Sequence, residues 1–327
     1  MRVVGLLLLS LLAWISPIYA EVTMENVEYG GWANCVRLSN GTMELIATTD
    51  VGPRIIRCGF VGGENLFLES TDQLGKTGGE DWRIYGGHRL WHAPEMKPRT
   101  YAPDNEPVKL GWDGERLILT QPREEWTAVQ KEIEVRMAED RDGARVLHRI
   151  TNKNLWPIRL SPWAITVFRG GGVAVLPRAV YGKHGENLLP TQNLSLWPYT
   201  NMADPRFTWG DRFIRVRTDA ESKDPQKIGI LNARGWGAYV LGNEAFLKQI
   251  EYEKGAPYPD LNSSTEVYTQ GMMLELETLG PLTEVEPGQS VEWIEHWTLL
   301  KGDIAEDDSS IESFFAPHLL TKEATPK

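Results

Sequence analysis

The sequence predicts an all-β protein, an antiparallel sandwich with few short helices. Apolar and polar residues alternate with period two from end to end, and clusters of Gly, Pro, Asn and Asp separate the alternating segments. Helical periodicity is nearly absent: the one candidate helix covers residues 304–318, with possible N-caps at 307–310. Many strands without intervening helices indicate a sandwich or a barrel.

The predicted strands are bounded by turn residues. They cover residues 32–39, 42–49, 54–60, 117–121, 131–137, 144–152, 158–168, 172–176, 213–217, 227–232, 236–241, 245–252, 272–278 and 291–300. Two segments, 71–107 and 178–211, are too long and too rich in aromatic and charged residues to be simple connections. Long loops on a rigid β scaffold usually carry the functional site.

The first twenty residues have the composition of a secretory signal peptide. Arg2 precedes an apolar run over residues 3–18, which is too short to cross a bilayer, and a small residue, Ala20, ends the segment. We therefore expect residues 1–20 to be removed and residues 21–327 to form a single domain in the periplasm or outside the cell. The net charge of −11 argues against binding to nucleic acid or to an anionic membrane surface.

Two cysteines, Cys35 and Cys58, are expected to be free and buried. A two-residue turn at Asn40-Gly41 would place Cys35 opposite Ile46, and a second turn would place Cys58 opposite Leu45. The cysteines would then lie on outer strands of a meander and point to opposite faces. A disulfide needs Cα atoms within about 7 Å, so this arrangement excludes one.

The richest group of polar side chains spans residues 86–95 and 103–107. Histidine can transfer protons near neutral pH, and arginine offers a fixed fork to hydroxyls or carboxylates. The alternative is that these side chains only stabilise the loop through hydrogen bonds and ion pairs with one another. The candidate binding and catalytic residues here are His88, Arg89, Trp91, His92, Glu95, Asp104 and Asn105.

A zinc site at His88 and His92 is not expected, because their i, i+4 spacing suits a metal only on a helix, and Pro94 opposes a helix. The sequence leaves open whether oxygen ligands bind another metal. No cofactor is predicted, since neither a phosphate-binding loop nor a dinucleotide fingerprint is present.

Two further motifs carry candidate residues. Glu275 and Glu277 alternate with leucines, so both carboxylates are expected to project from one face of a strand, an arrangement that suits a general base or a metal site. The alternative is that this strand is half exposed and that both glutamates lie in solvent. The segment 178–211 supplies four further candidate site residues, one loop histidine and three aromatic or charged residues: His184, Trp197, Asp204 and Arg206. Indole rings with Asp, Asn, Arg and His are typical of sugar pockets, because a ring face attracts the C–H face of a pyranose.

The pattern as a whole resembles the galactose mutarotase-like (aldose 1-epimerase-like) superfamily. The resemblance lies in the opening meander 36–56, the central segment 148–152 and the ending 275–297, and the motif 86–95 is similar to an uncharacterised branch of secreted bacterial proteins. It implies a β-supersandwich with a carbohydrate site on its concave face. In aldose 1-epimerases an early His and Arg bind the sugar, a central histidine is the acid and a late glutamate is the base.

Carried over to this chain, the resemblance assigns His88 and Arg89 to sugar binding and Glu275, or alternatively Glu277, to the base. The central histidine is missing from residues 160–166, so His184 or His88 itself would have to act as the acid. Three functions follow: acid/base chemistry on a sugar like that of an aldose 1-epimerase, cleavage of a glycan by a hydrolase or lyase, and glycan binding without catalysis. The sequence also predicts convergence of several polar groups on one pocket, namely His88, Arg89, Glu95, Asp104, Asn105 and Glu275.

Overall fold

A computed structural model describes residues 21–180, 182–185 and 188–320 of the chain. It confirms an all-β fold in which two antiparallel sheets, one of eleven strands and one of ten, pack face to face. The predicted signal peptide lies outside the described residues.

The strands, in chain order, are β1 (Thr23–Tyr29), β2 (Trp32–Ser39), β3 (Met43–Thr48), β4 (Arg54–Phe60), β5 (Gly87–Ala93), β6 (Lys109–Trp112), β7 (Leu117–Thr120), β8 (Val129–Met137), β9 (Gly143–Asn152), β10 (Ile158–Arg169), β11 (Val173–Pro177), β12 (Leu194–Leu196), β13 (Phe207–Trp209), β14 (Phe213–Arg217), β15 (Gln226–Ile230), β16 (Trp236–Leu241), β17 (Glu244–Ile250), β18 (Thr265–Gln270), β19 (Met273–Leu279), β20 (Thr283–Val285) and β21 (Ser290–Lys301). The larger sheet has the order β1-β2-β3-β4-β5-β10-β19-β18-β15-β12, with β20 paired to β10. The smaller sheet has the order β13-β14-β11-β16-β17-β21-β9-β8-β7-β6.

The helical content is small, as predicted. A four-residue helical turn, α1, spans Pro259–Asn262, and one regular helix, α2, spans Asp308–Phe315. Short 3₁₀ turns cover Arg99–Tyr101 and Ala316–His318. The predicted helix over residues 304–318 therefore starts four residues late. The reason is that the Asp307 carboxylate accepts hydrogen bonds from the backbone N–H groups of Ser309 and Ser310 and caps α2.

The prediction that residues 71–107 form one loop is wrong. That segment contains β5, whose seven residues are all buried between β4 and β10 near the middle of the larger sheet. A strand that is buried on both faces shows no alternation of apolar and polar residues, so periodicity could not reveal it. The segment 178–211 likewise contains two strands, β12 and β13, of three residues each at the sheet edges.

The two cysteines are free and buried, as predicted. Cys58 pairs with Leu45, as expected, but Cys35 pairs with Thr48 instead of Ile46. The difference arises at the turn, which has four residues between Ser39 and Glu44 and not two. The side-chain oxygen of Asn40 accepts a hydrogen bond from the Met43 backbone N–H at 2.9 Å and stabilises this longer turn.

Apolar side chains from both sheets form the core between them. Phe67, Phe168, Phe246 and Trp297 pack edge to face there, with ring centroids 5.2–5.8 Å apart. Such contacts between aromatic rings stabilise a fold beyond the area that they bury. This aromatic centre lies next to the polar groups described below.

A chain of buried hydrogen bonds crosses the core from one sheet to the other. The Lys248 ammonium donates to Thr166 Oγ1 at 2.7 Å, and Thr166 Oγ1 lies 2.8 Å from His88 Nδ1. His88 Nε2 lies 2.7 Å from His148 Nε2, and His148 Nδ1 lies 3.0 Å from the backbone carbonyl oxygen of Trp293. We call this chain the inter-sheet network.

The partners in the inter-sheet network determine where its protons lie. A carbonyl oxygen can only accept, so His148 Nδ1 carries a proton and His148 Nε2 accepts one from His88 Nε2. His88 Nδ1 then accepts from the Thr166 hydroxyl. Both imidazoles are neutral in this arrangement. Burial, together with repulsion from His148 and Lys248, holds the pKa of His88 well below its usual value, and burial lowers the pKa of His148.

Acid should destabilise the protein through these two histidines. The unfolded imidazoles bind protons as the pH falls through about 6.5, whereas the folded ones resist protonation, so the free energy of unfolding should fall by about 1 kcal/mol per pH unit for each histidine. Urea unfolding between pH 7 and pH 5.5 should show a shallower pH dependence in His88→Gln and His148→Gln than in the wild type. His184→Gln, which changes an exposed histidine, is the matched control. Equal slopes in all four proteins would contradict this assignment.

Candidate functional site

The side chains of β5 point alternately to the two faces of the larger sheet. His88 points into the core, where it belongs to the inter-sheet network, and the neighbouring Arg89 points to the opposite face, where it pairs with Glu275. We call this second face, which is turned away from the smaller sheet, the outer face. Because adjacent residues of a strand cannot share a face, the structure does not bring His88 and Arg89 to one sugar site. The prediction that His88 converges on one pocket with Arg89 and Glu275 is therefore wrong.

The strand register aligns charged side chains across the outer face. Arg89 lies opposite Ile165, Ile165 lies opposite Glu277, and Glu277 lies opposite Glu266. The expectation that Glu275 and Glu277 share one face is confirmed by this register. The polar and aromatic residues of the outer face are Arg54, Arg89, Trp91, Trp163, Lys227, Glu266, Tyr268, Glu275 and Glu277.

Arg89 and Glu275 form the first charged cluster of the outer face. The Arg89 Nη2 atom lies 3.0 Å from Glu275 Oε1, and only 2% of the arginine is exposed. The guanidinium carbon lies 4.9 Å from the centre of the Trp91 ring and 5.6 Å from that of Trp82. Two guanidinium nitrogens, Nε and Nη1, are buried and have no hydrogen-bond partner among the described residues. Unpaired buried donors cost free energy, so a ligand that supplies acceptors to them would gain affinity.

Aromatic rings surround this pair. The Trp91 ring lies 5.4 Å from the Trp163 ring and 5.0 Å from the Tyr101 ring, and Trp82 packs against both Trp91 and Tyr101. The Tyr101 hydroxyl donates to the exposed carboxylate of Glu95. The loop before β5 and the turn after it therefore build an aromatic wall above the ion pair. Glu95 lies at its rim.

Lys227 is the centre of the second charged cluster. Its ammonium lies 2.7 Å from Glu266 Oε2 and 2.9 Å from Glu277 Oε2, and all three side chains are buried. The same ammonium lies 4.7 Å and 4.8 Å from the ring centres of Trp163 and Trp197. This arrangement places Trp197, a predicted site residue, over the cluster.

The charges of the second cluster shift one another's pKa. Burial opposes the charge on Lys227, but attraction to two carboxylates outweighs it and raises the pKa of Lys227 well above its usual value. Burial raises the pKa of Glu266 well above its usual value, and burial also raises the pKa of Glu277. Groups with shifted pKa values beside aromatic rings are frequent in binding and catalytic sites.

Asp104 and Asn105 stabilise the loop that precedes β5, and in the described residues no hydrogen bond joins either of them to Glu275. Asp104 Oδ2 lies 2.7 Å from Arg54 Nη2. The Asn105 amide donates to the carbonyl oxygens of Gly79 and Asp81, and its side-chain oxygen accepts from the Tyr85 hydroxyl at 2.9 Å. Asn105 thus anchors the turn that leads into Trp82.

The remaining predicted site residues are His92, Asp204, Arg206 and His184. His92 is buried, and burial together with repulsion from Lys131 holds its pKa well below the usual value. Asp204 and Arg206 form an ion pair with each other at 2.8 Å. His184 is exposed, and no hydrogen bond of the described residues joins it to Glu275.

One group of three side chains in the described chain could hold a metal ion: His88, His148 and Glu295, with one ligand atom each within 4.8 Å of the others. Zinc–nitrogen bonds of about 2.0–2.1 Å in a tetrahedral site would separate two imidazole nitrogens by about 3.3 Å. The two Nε2 atoms are 2.7 Å apart, which is a hydrogen-bond distance. Lys248 lies 3.0 Å from Glu295 and already neutralises its charge. The geometry fits hydrogen bonding better than metal binding.

Sequence reasoning missed Trp82, Tyr101, Trp163 and Lys227 as parts of the site. Lys227 lies in a segment that was predicted as a strand, and its charge in the interior of a sheet is the signal that could have identified it. Glu266 was not among the candidate site residues. Its pairing with Lys227 depends on the contact between β15 and β18, which are separated by more than thirty residues of sequence.

A scan of protein-family models gives no match, and a search of curated proteins gives none either. Solved structures do match. A candidate aldose 1-epimerase from Klebsiella pneumoniae has a TM-score of 0.55 at 11% identity, with 90% of this chain and 86% of that chain covered. A galactose mutarotase-like protein from Lactobacillus casei has a TM-score of 0.53 at 8% identity, with 81% and 100% covered.

A TPR-domain containing protein from Parabacteroides distasonis has a TM-score of 0.56 at 12% identity, with 83% of this chain covered. The chain spans about half the length of that protein, since the match covers 48% of it. The galactose mutarotase-like protein and the candidate aldose 1-epimerase match over most of their length. The chain therefore has the galactose mutarotase-like fold.

Proposed function

We propose that the protein binds a sugar on its outer face and carries out acid/base chemistry on it like that of an aldose 1-epimerase. The observation that carries the proposal is the Arg89–Glu275 pair beside the rings of Trp82 and Trp91, in which two buried guanidinium nitrogens find no partner in the part of the chain that the structure describes. The fold is shared with galactose mutarotase-like proteins, and this supports a sugar as the ligand.

A sugar satisfies what this site lacks. Its hydroxyl oxygens can accept hydrogen bonds from Arg89, and its hydroxyl protons can be donated to Glu275. The C–H face of a pyranose can pack on an indole ring such as that of Trp91. The site thus offers a donor, an acceptor and an apolar surface within one group of side chains.

In the proposed reaction, Glu275 is the base. Glu275 is 8% exposed as a residue. Its carboxylate takes the proton from the anomeric hydroxyl while an acid protonates the ring oxygen, and the bond between C1 and the ring oxygen breaks. The resulting aldehyde rotates about its C1–C2 bond and recloses on the other face. Each such acid or base contributes about 10²–10⁴-fold to the rate.

Sugar binding without catalysis is the second candidate, and one observation favours it. None of the histidines hydrogen-bonds Glu275 in the described part of the chain: His88, His92 and His148 are buried, and His184 is exposed. The usual acid of aldose 1-epimerases is therefore missing from the outer face.

Cleavage of a glycan would be recognised by its products. Hydrolysis would yield new reducing ends, and elimination would yield unsaturated products.

Epimerase activity should depend on Glu275. Wild-type protein should accelerate the mutarotation of a pure α-anomer in polarimetry or NMR, and Glu275→Gln should slow the reaction by about 10²-fold or more, because an amide cannot take the proton. Glu284→Gln, on an exposed glutamate of β20, is the matched control and should keep full activity. Equal rates for Glu275→Gln and the wild type would remove Glu275 from the mechanism.

Sugar affinity should depend on Arg89 and Trp197, whether or not the protein is an enzyme. Arg89→Lys keeps the charge but loses the fork, and Trp197→Ala removes a ring, so each should weaken binding in calorimetry by about tenfold. The controls are Arg159→Lys and Trp156→Ala, which change exposed residues. Unchanged affinity in both site variants, measured on folded protein, would place the sugar elsewhere.

We also propose that the protein is exported to the periplasm or the medium. The composition of residues 1–20 supports this. In the described residues, no helix has the length and apolar character that crossing a membrane requires. Mass spectrometry of protein from the native cell should find an N-terminus near Glu21 and should find the protein outside the cytoplasm. Full-length chains in the cytoplasm would contradict export.

A further inference from the structure

We propose that a cleft between connections of the two sheets binds a small molecule that carries a primary ammonium group. The cleft lies between the loop that joins β5 to β6 and the turn that joins β7 to β8, and its volume is about 380 Å³. Small ligands occupy clefts of about 300–1,000 Å³. Its lining includes none of the polar and aromatic residues of the outer face, so this site is separate from the proposed sugar site.

Gln121 brings to the cleft an acceptor that no donor satisfies. Only 4% of this lining residue is exposed, and its Oε1 atom is buried and has no hydrogen-bond partner among the described residues. The amide cannot be reversed to satisfy it, because Nε2 donates to Glu124 Oε1 at 3.1 Å and a carboxylate only accepts. A buried acceptor without a donor costs free energy, so a ligand that supplies an N–H group to this atom gains affinity.

Asp104 supplies a second free acceptor to the lining of the same cleft. Its Oδ2 atom lies 2.7 Å from Arg54 Nη2, whereas its Oδ1 atom is buried and finds no partner in the part of the chain that the structure describes. Asp104 belongs to the loop after β5, and Gln121 belongs to the turn after β7. A ligand with several N–H donors suits a site with more than one free acceptor, and a primary ammonium has three.

The rim of the cleft is acidic. Its exposed lining residues include three carboxylates, those of Glu80, Glu106 and Glu125, and one guanidinium, that of Arg123. Three negative charges against one positive charge leave a net charge of −2, which attracts a cation. The one group of three possible metal ligands in the described chain lies in the core, so the carboxylates of the cleft are too far apart to hold a metal ion. The charge therefore fits an organic cation.

Trp126 adds an exposed indole ring to the lining, with 54% of the residue exposed. The turn that carries it is fixed by buried charges. Glu124 lies 2.5 Å from the Lys131 ammonium and accepts from the Thr127 hydroxyl, and both Glu124 and Lys131 are buried. The face of an indole ring attracts a cation within about 6 Å of its centre. Trp126 thus offers an attractive surface to an ammonium group in the cleft.

Charge distinguishes the proposed ligand from a neutral sugar. The hydroxyls of a neutral sugar could also donate to Gln121 and Asp104, but a neutral molecule would gain nothing from the net charge of the rim. An amino sugar and a polyamine both carry the primary ammonium group. They are the two sources that the experiment separates.

Calorimetry with glucosamine, putrescine and glucose tests the proposal, at about pH 6.5, where both amines are charged. The wild type should bind at least one amine about tenfold more tightly than glucose. Added salt should weaken that binding, because it screens the exposed charges of the rim. Tighter binding of glucosamine would identify an amino sugar, and binding of putrescine that is as tight or tighter would identify the ammonium group of a polyamine. If neither amine binds more tightly than glucose, the proposal is overturned.

Two variants of the cleft locate the bound amine. Gln121→Met removes the free acceptor and should weaken amine binding by about tenfold, and Trp126→Leu removes the ring and should weaken it by about threefold. Trp209→Leu, which changes an exposed tryptophan of β13 at the far edge of the smaller sheet, is the matched control. Because Trp126 is exposed, its variant should fold even if Gln121→Met does not.

Amine binding that is unchanged in folded Trp126→Leu would overturn the proposal. Binding that is lost in Arg89→Lys and kept in both cleft variants would also overturn it, because the amine would then lie on the outer face. Mutarotation should be the same in Trp126→Leu as in the wild type. Failure of the proposed function would therefore appear as absent mutarotation and absent sugar binding, whereas failure of this inference would appear in the amine titrations alone.

Discussion

The inter-sheet network is the interaction on which the candidate site depends. It connects three adjacent strands of the larger sheet, because His88 lies on β5, Thr166 on β10, and the carbonyl oxygen of Leu276, which accepts from Lys248, on β19. The residues that alternate with these along the strands project to the outer face. A polar network that is fully hydrogen-bonded in the core specifies one register, and one register fixes which side chains meet on the other face.

The outer face differs from an ordinary solvated sheet in how its charges are arranged. Arg89 and Lys227 are buried against aromatic rings, and both pair with glutamates of other strands of the larger sheet, Arg89 with Glu275 and Lys227 with Glu266 and Glu277. Buried ion pairs contribute little to stability, because desolvation offsets their attraction, so their presence here fits a functional site better than a stabilising device. Two features would be satisfied by a ligand: the Arg89 nitrogens that have no partner among the described residues, and the pairing of one ammonium, that of Lys227, with two carboxylates.

Alternation and turn residues predicted the fold class, most strands, the C-terminal helix and the shared face of Glu275 and Glu277. They could not reveal β5, because burial on both faces removes the alternation on which the prediction depends. As residues of a loop, His88 and Arg89 could both reach one ligand. As adjacent residues of a strand, they project to opposite faces of the sheet and cannot. The pairing of Lys227 with Glu266 and Glu277 depends on long-range strand order, which a single sequence does not contain.

A crystal structure of the protein soaked with a hexose would test the central claim most directly, because the claim concerns where a sugar lies. The account predicts density for the sugar on the outer face, with hydroxyl oxygens within about 3 Å of Arg89 Nε and Nη1 and a hydroxyl directed at Glu275. One face of the ring should lie against an indole, that of Trp91 or Trp197. A fully occupied sugar at another surface, with the Arg89 nitrogens still unpartnered, would contradict it.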